Sequence, residues 1–125
     1  FIASFIGSMN FIPAIISDSN KVKCGDINID CNTSGFKQND SVQIAIRPED
    51  IQLKKENTED NIVSARIKEI EFLGSFQRVY FEVKNFTNNL IIVDVPSSTA
   101  RKVNPIVDEE RDLYFSKEDI RVYKV

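Results

Sequence analysis

A strand that stops abruptly and then recurs constrains this chain most. In SVQIAIRPEDIQL, from Ser41 to Leu53, Val42, Ile44 and Ile46 alternate with Gln43, Ala45 and Arg47. That is the period-two pattern of a half-buried strand. Pro48 removes a ladder donor and fixes φ, so pairing ends there. Glu49 and Asp50 form an acidic turn, and Ile51 and Leu53 resume a short apolar alternation as a return strand. The chain closes on a second version, RDLYFSKEDIRVYKV, displaced by 69 residues. Ile44 then meets Leu113, Ile46 meets Phe115, Glu49 meets Glu118, Asp50 meets Asp119 and Ile51 meets Ile120. Two strand-rich halves, about 10–53 and 61–125, each ended by the same device, follow from this repeat.

The rest of the chain reads as strands and turns. Phe1, Phe5 and Met9, with Ile2 and Ile6, have helical spacing and suggest the tail of a helix ending at Gly7. Residues 1–9 are therefore expected to be a linker from a preceding domain. Asn10 to Ser17 reads as a strand in which Pro13 marks an edge or a start. Lys21–Cys24 and Ile27–Cys31 form a hairpin across Gly25-Asp26, and residues 32–40 are a loop. KKENTEDN, residues 54–61, is a solvated connection. In the long strand from Ile62, the apolar phase of Val63, Ala65 and Ile67 switches to that of Ile70 and Phe72, which predicts a bulge near Lys68 to Ile70. Gly74 turns the chain into a return strand with Val79, Phe81 and Val83 inward and Tyr80 outward. A strand from Leu90 to Val95 ends at Pro96, and Ser97 is expected to cap a single helical turn. The fold class is all-β, a small OB-like barrel or two fused sub-barrels, with one short helix.

Composition excludes several functions. Histidine is absent, which removes the commonest general base and metal ligand. With 16 basic against 19 acidic residues and a net charge of -3, the chain lacks the basic stripe of a nucleic-acid surface. No apolar run approaches the length of a membrane helix. The spacing of Cys24 and Cys31 matches no zinc motif, and the two are expected to be free, half-buried thiols. The four glycines are too scattered for a phosphate-cradling loop, and no G-x-x-x-x-G-K-[ST] occurs. The acidic pairs read as turn residues, since adjacent carboxylates in a turn point apart and no sugar site surrounds them. No catalytic, cofactor or metal residue is expected.

RPEDI after an apolar strand, EFLGS at a hairpin, VDVPSS before a short helix and a closing SKEDIRVY resemble, in that order, the C-terminal transport-associated OB (TOBE-type) domain of ATP-binding-cassette importer ATPases of the polyamine, iron and maltose types. The opening FIASFIGSMNF is similar to the connection leaving their nucleotide-binding domain. Arg47, Pro48, Glu49 and Asp50, with Glu118 and Asp119 in the second copy, occupy the motif positions. The resemblance implies a non-catalytic regulatory and dimerisation domain, with ATP and Mg bound by the preceding domain. It implies contact with that ATPase domain and with a second copy, and indirect contact with permease subunits at the cytoplasmic face of the membrane, without insertion. The family often has a glycine in the turn before the last strand, where this chain has Asp108-Glu109, so the turn type stays open. Phe72, Gly74, Phe76 and Tyr80 around the hairpin are candidate interface residues, although aromatic residues are more often core.

Two other readings remain. A free-standing OB-fold would bind single-stranded nucleic acid or oligosaccharide, but needs a basic groove with stacking platforms. A small oxyanion-binding barrel would use backbone amides and hydroxyls; Ser64-Ala65-Arg66 resembles a stretch used by such barrels, but lies within an expected strand.

Overall fold

A computed structural model describes residues 9–54 and 61–125. The expected helical linker falls on residues 1–9 and, apart from Met9, lies outside the described residues; Met9 itself belongs to no helix. Most of the acidic connection, residues 55–60, also lies outside them.

Among the described residues, nine strands form two antiparallel sheets. In chain order they are β1 (Asn10–Asp18), β2 (Lys21–Cys24), β3 (Ile27–Asp30), β4 (Ser41–Ile46), β5 (Asn61–Phe72), β6 (Phe76–Glu82), β7 (Ile91–Pro96), β8 (Glu110–Phe115) and β9 (Arg121–Lys124). One sheet runs β3-β2-β1-β4-β9 and the other β7-β6-β5-β8. Each curls into a half-barrel of the OB type. A short helix, α1 (Ser97–Val103), follows β7. One-turn 3-10 helices follow β4, at Pro48–Asp50, and β8, at Lys117–Asp119. Sequence periodicity reads these as plain turns because three residues are too few to show a helical phase.

The two sheets are the same object built twice. β1 pairs with β4 through Asn10–Ile46 and Ile12–Ile44; β5 pairs with β8 through Asn61–Phe115 and Val63–Leu113. The register slips between Ile16 and Asp18 in β1, and at the equivalent place between Ile67 and Glu69 in β5. The bulge read from the phase change is the second of these. The first lies at a strand end, where no phase change follows to betray it. The loops before β4 and β8 also match. Asn39 and Asp108 take φ of 73° and 72°, and their amides donate to Ile16 O at 2.7 Å and Ile67 O at 2.8 Å. Asp108 therefore adopts the left-handed conformation that glycine adopts most readily, as aspartate and asparagine can. The missing glycine leaves the turn intact.

Alternation puts one face of each strand in a shared core. Ile12, Ile16, Val22, Ile44, Ile67, Val79, Phe81 and Leu113 are almost wholly buried. Each contributes about 1.5–3 kcal/mol by leaving water. Pro13 stands locally at an edge, as expected, because β2 pairs with β1 only from Ile15 onward. Three expectations need correction. Cys24 and Cys31 are free but fully buried, with 0% and 1% exposure. Ser97 is not a cap: its hydroxyl donates to Gly74 O at 2.7 Å, and the residue at the cap position is Pro96. Phe72 follows the new phase but sits at a hairpin end beyond the core, 75% exposed.

Candidate functional site

The two copies of the strand–turn device meet each other. The flanks of the 3-10 turns have nearly the same backbone: Arg47 at φ -72°, ψ 142° and Ser116 at φ -80°, ψ 142°, then Ile51 at φ -95°, ψ 128° and Ile120 at φ -96°, ψ 129°. Asp50 N donates to Arg47 O and Asp119 N to Ser116 O, both at 3.0 Å. Each copy's return segment then pairs with the other copy's strand. Arg121 pairs with Ala45, and Gln52 with the equivalent Tyr114. The first return strand is thus reduced to one bridge, whereas the second is a full strand, β9.

This exchange brings the acidic turns together. Asp50 is half-buried, and its pKa is raised by desolvation first, then by the carboxylates of Asp119 and Glu49, against the opposing Arg47. Glu49, Glu118 and Asp119 are exposed and Pro48 is buried. Among the described residues no cluster could hold a metal ion. Burial pushes the thiols of Cys24 and Cys31 up to about 12 and about 11, so at neutral pH both are uncharged and inert.

The hairpin candidates separate. Phe72 projects from the tip, and Gly74 takes φ +85° with nothing near its missing side chain. Phe76 is half-buried beneath Arg78, whose guanidinium lies 5.8 Å from the ring centroid and forms a two-pronged ion pair with Asp94 at 2.8 and 3.0 Å. The Tyr80 hydroxyl donates to Glu71 at 2.5 Å, which raises its pKa. Arg66, in the Ser-Ala-Arg stretch within β5, donates to Asp108 O at 2.7 Å and approaches Glu110 at 3.7 Å.

Sequence reasoning missed a different surface. The outward face of the first sheet carries Phe11, Pro13 and Ile15 on β1 and Tyr123 on β9, with β4 between the two strands. Phe11, Ile15 and Tyr123 are each about half exposed, at 47%, 50% and 50%. Pro13, Gln43 and Tyr123 make one row across three strands; Phe11, Ala45 and Arg121 make the next. The corresponding outward positions of the second sheet hold Ser64, Arg66, Glu110 and Asp112, with Ile62 and Tyr114. The outward face of the first sheet therefore carries an apolar row along β1, bordered by Lys23, Gln43 and Arg121, where the second sheet carries a largely charged face. The signal available in sequence was the apolar content of β1 on both phases, NFIPAII, which one buried face does not require.

Among the described residues no helix is long and apolar enough to cross a membrane. Comparison with known proteins agrees with the fold. The chain is 35% identical over 88 residues to the spermidine/putrescine import ATP-binding protein PotA of Clostridium acetobutylicum, a match covering 70% of this chain and 24% of that protein. It is 26% identical to the Fe(3+) ions import ATP-binding protein FbpC 2 of Rhizobium meliloti, covering 94% of this chain and 34% of that one. A PotA of Onion yellows phytoplasma matches over the whole chain at 24% identity, covering 27% of its own length. The chain thus spans about a quarter to a third of these relatives. A crystal structure of the cytoplasmic molybdate-binding protein ModG superposes with a TM-score of 0.77 over 93% of this chain and 96% of that one; at 9% identity this likeness shows an OB-type fold alone. The TOBE domain model matches residues 44–122, from the first copy of the strand–turn device to the second, and this chain belongs to the TOBE domain family.

Proposed function

We propose that the chain is the C-terminal regulatory and self-association domain of the ATP-binding subunit of an ATP-binding-cassette importer. The observation that carries this reading is the exposed row of Phe11, Pro13 and Ile15 on β1, with Tyr123 two strands away, set against Ile62, Ser64 and Arg66 at the equivalent positions of its internal twin. Apolar side chains left in water along one strand form a contact surface, and the occupant we assign is the same face of a second copy. The relatives named as import ATP-binding proteins for spermidine/putrescine and for Fe(3+) support the parent chain. In that chain, ATP and Mg belong to the preceding domain, because these 125 residues hold no phosphate-cradling motif. Permease subunits would be engaged indirectly, at the cytoplasmic face of the membrane.

The domain's contribution is proximity. A weak contact between two tethered domains holds the ATPase domains near each other when ATP is gone, because the tether supplies the effective concentration. The test compares ATP turnover of the parent protein with that of a truncation ending before Phe1, with and without permease. Altered turnover or its altered dependence on permease supports the reading; identical behaviour contradicts it.

A further inference from the structure

The internal duplication exposes one place where the halves differ in more than surface colour. In the second half, β7 runs to Pro96 and packs against the first 3-10 turn, closing the seam between the sheets. In the first half, β3 stops at Asp30 and makes no comparable packing with the second 3-10 turn. The seam there stays open as a cleft of about 690 Å³.

The cleft's walls are polar and carry net positive charge. Lys117 and Arg121 line one side with Glu118; Asn20, Asn32 and Ser34 line the other. Neither cation has an ion-pair partner among the described residues. The positions equivalent to Lys117 and Arg121 in the first copy are Pro48 and Gln52, both uncharged, so the two cations belong to the open seam alone. The Asn32 carbonyl oxygen is engaged by Ser34 N at 2.9 Å, which leaves its amide NH₂ to donate. The Asn20 backbone is held by Thr33 Oγ1 at 2.8 Å and Cys31 N at 3.1 Å, leaving its side chain free. Two cations, two amides and a hydroxyl thus converge on one volume whose floor is the buried pair Cys31 and Ile120.

We propose that this cleft binds a small organic anion by a terminal phosphate or carboxylate. The guanidinium of Arg121 suits a forked pair of oxygens, and Lys117 supplies a second charge. The volume lies within the roughly 300–1,000 Å³ of small-molecule sites, far more than a bare tetrahedral oxyanion fills. The apolar floor takes the carbon body of the ligand. The site is independent of the parent-chain reading, and its binding is measurable without ATP turnover.

The experiment titrates the isotopically labelled protein with glucose 6-phosphate, citrate and molybdate, followed by amide chemical shifts. Saturable shifts at Asn32, Ser34 and Arg121 with glucose 6-phosphate or citrate are expected, and which of the two binds tighter identifies the terminal group. Combining Lys117→Ala with Arg121→Ala, both on exposed side chains, should weaken that binding by about tenfold or more while the remaining spectrum is unchanged. No saturable shift with either organic anion, shifts that persist in the double variant, or tighter binding of molybdate than of both organic anions would overturn the proposal.

Discussion

Asn10 and Asn61 clasp the two halves together by the same pair of bonds. Asn10 Nδ2 donates to Ile92 O at 2.8 Å and its Oδ1 accepts from Ile92 N at 2.7 Å. Asn61 makes both bonds to Asp30, each at 2.9 Å. Each asparagine opens the first strand of its half and saturates the edge strand of the other, β7 or β3. Both asparagines are buried, at 4% and 8% exposure, and each amide pairs with the backbone N–H and C=O of one residue on an edge strand.

Asn10→Ala and Asn61→Ala should each cost about 1–3 kcal/mol, since each removes two hydrogen bonds from a buried amide to the opposite edge strand. Urea unfolding should show a lower midpoint with an unchanged slope. A loss below about 0.5 kcal/mol at either site would show that the clasp is satisfied some other way.

Gly25 and Gly74 both have positive φ, +59° and +85°, but only one is crowded. A Cβ on Gly25 would lie 2.1 Å from Asn85 O, where Asp26 N already donates at 2.7 Å; a Cβ on Gly74 meets nothing. Gly74→Ala should cost about 1 kcal/mol for backbone strain alone, and Gly25→Ala clearly more. Thermal unfolding of the two variants side by side checks the order; equal losses would refute the close approach.

Cys24 and Cys31 should resist a thiol reagent in the folded protein at pH 8 and react once urea unfolds it. Their folded pKa values, about 12 and about 11, exceed the ordinary 9.0. Their contribution to stability is therefore complete below pH 9 and is lost as pH rises toward 12. Val83 holds the equivalent place to Cys24 in the second half. Cys24→Val should thus fold well and lose stability less steeply over that alkaline range. An alkaline profile identical to that of the unaltered protein would count against burial as the cause.

The raised pKa of Asp50 carries the same sign. Its contribution is favourable below the ordinary value of 3.8 and is lost as pH rises through the higher folded value, so at pH 7 its charge weakens the fold. Asp50→Asn should leave stability at pH 7 unchanged or raised, with any gain vanishing in acid. A pronounced loss at pH 7, read from urea midpoints, would mean that the carboxylate makes a favourable contact.

The strand–turn device was legible because Pro48 and the matched apolar positions act locally, through φ and period-two burial. The remainder of the duplication was not. Phe11 corresponds to Ile62 and Ile15 to Arg66, and outward positions drift freely once only one half must meet water. The clasp was hidden because Asn10 and Asn61 partner residues far along the chain, and a strand that opens on asparagine does not show what its amide bonds to. Asn61 follows a run of charged residues and belongs by pattern to the solvated connection, yet it is buried and opens β5. The open seam depends on the difference in length between β3 and β7, which no local pattern reports.

Self-association through the β1–β9 face is tested most directly by sedimentation equilibrium of the parent protein without nucleotide, comparing the unaltered chain with Ile15→Arg combined with Tyr123→Lys. Arg66 already occupies the position equivalent to Ile15 in the second sheet, and both substituted side chains face outward, so the fold should be retained. The account predicts a dimer that weakens by about tenfold or more, as expected when charges are placed within an apolar contact. Unchanged dimerisation of a correctly folded variant would contradict it.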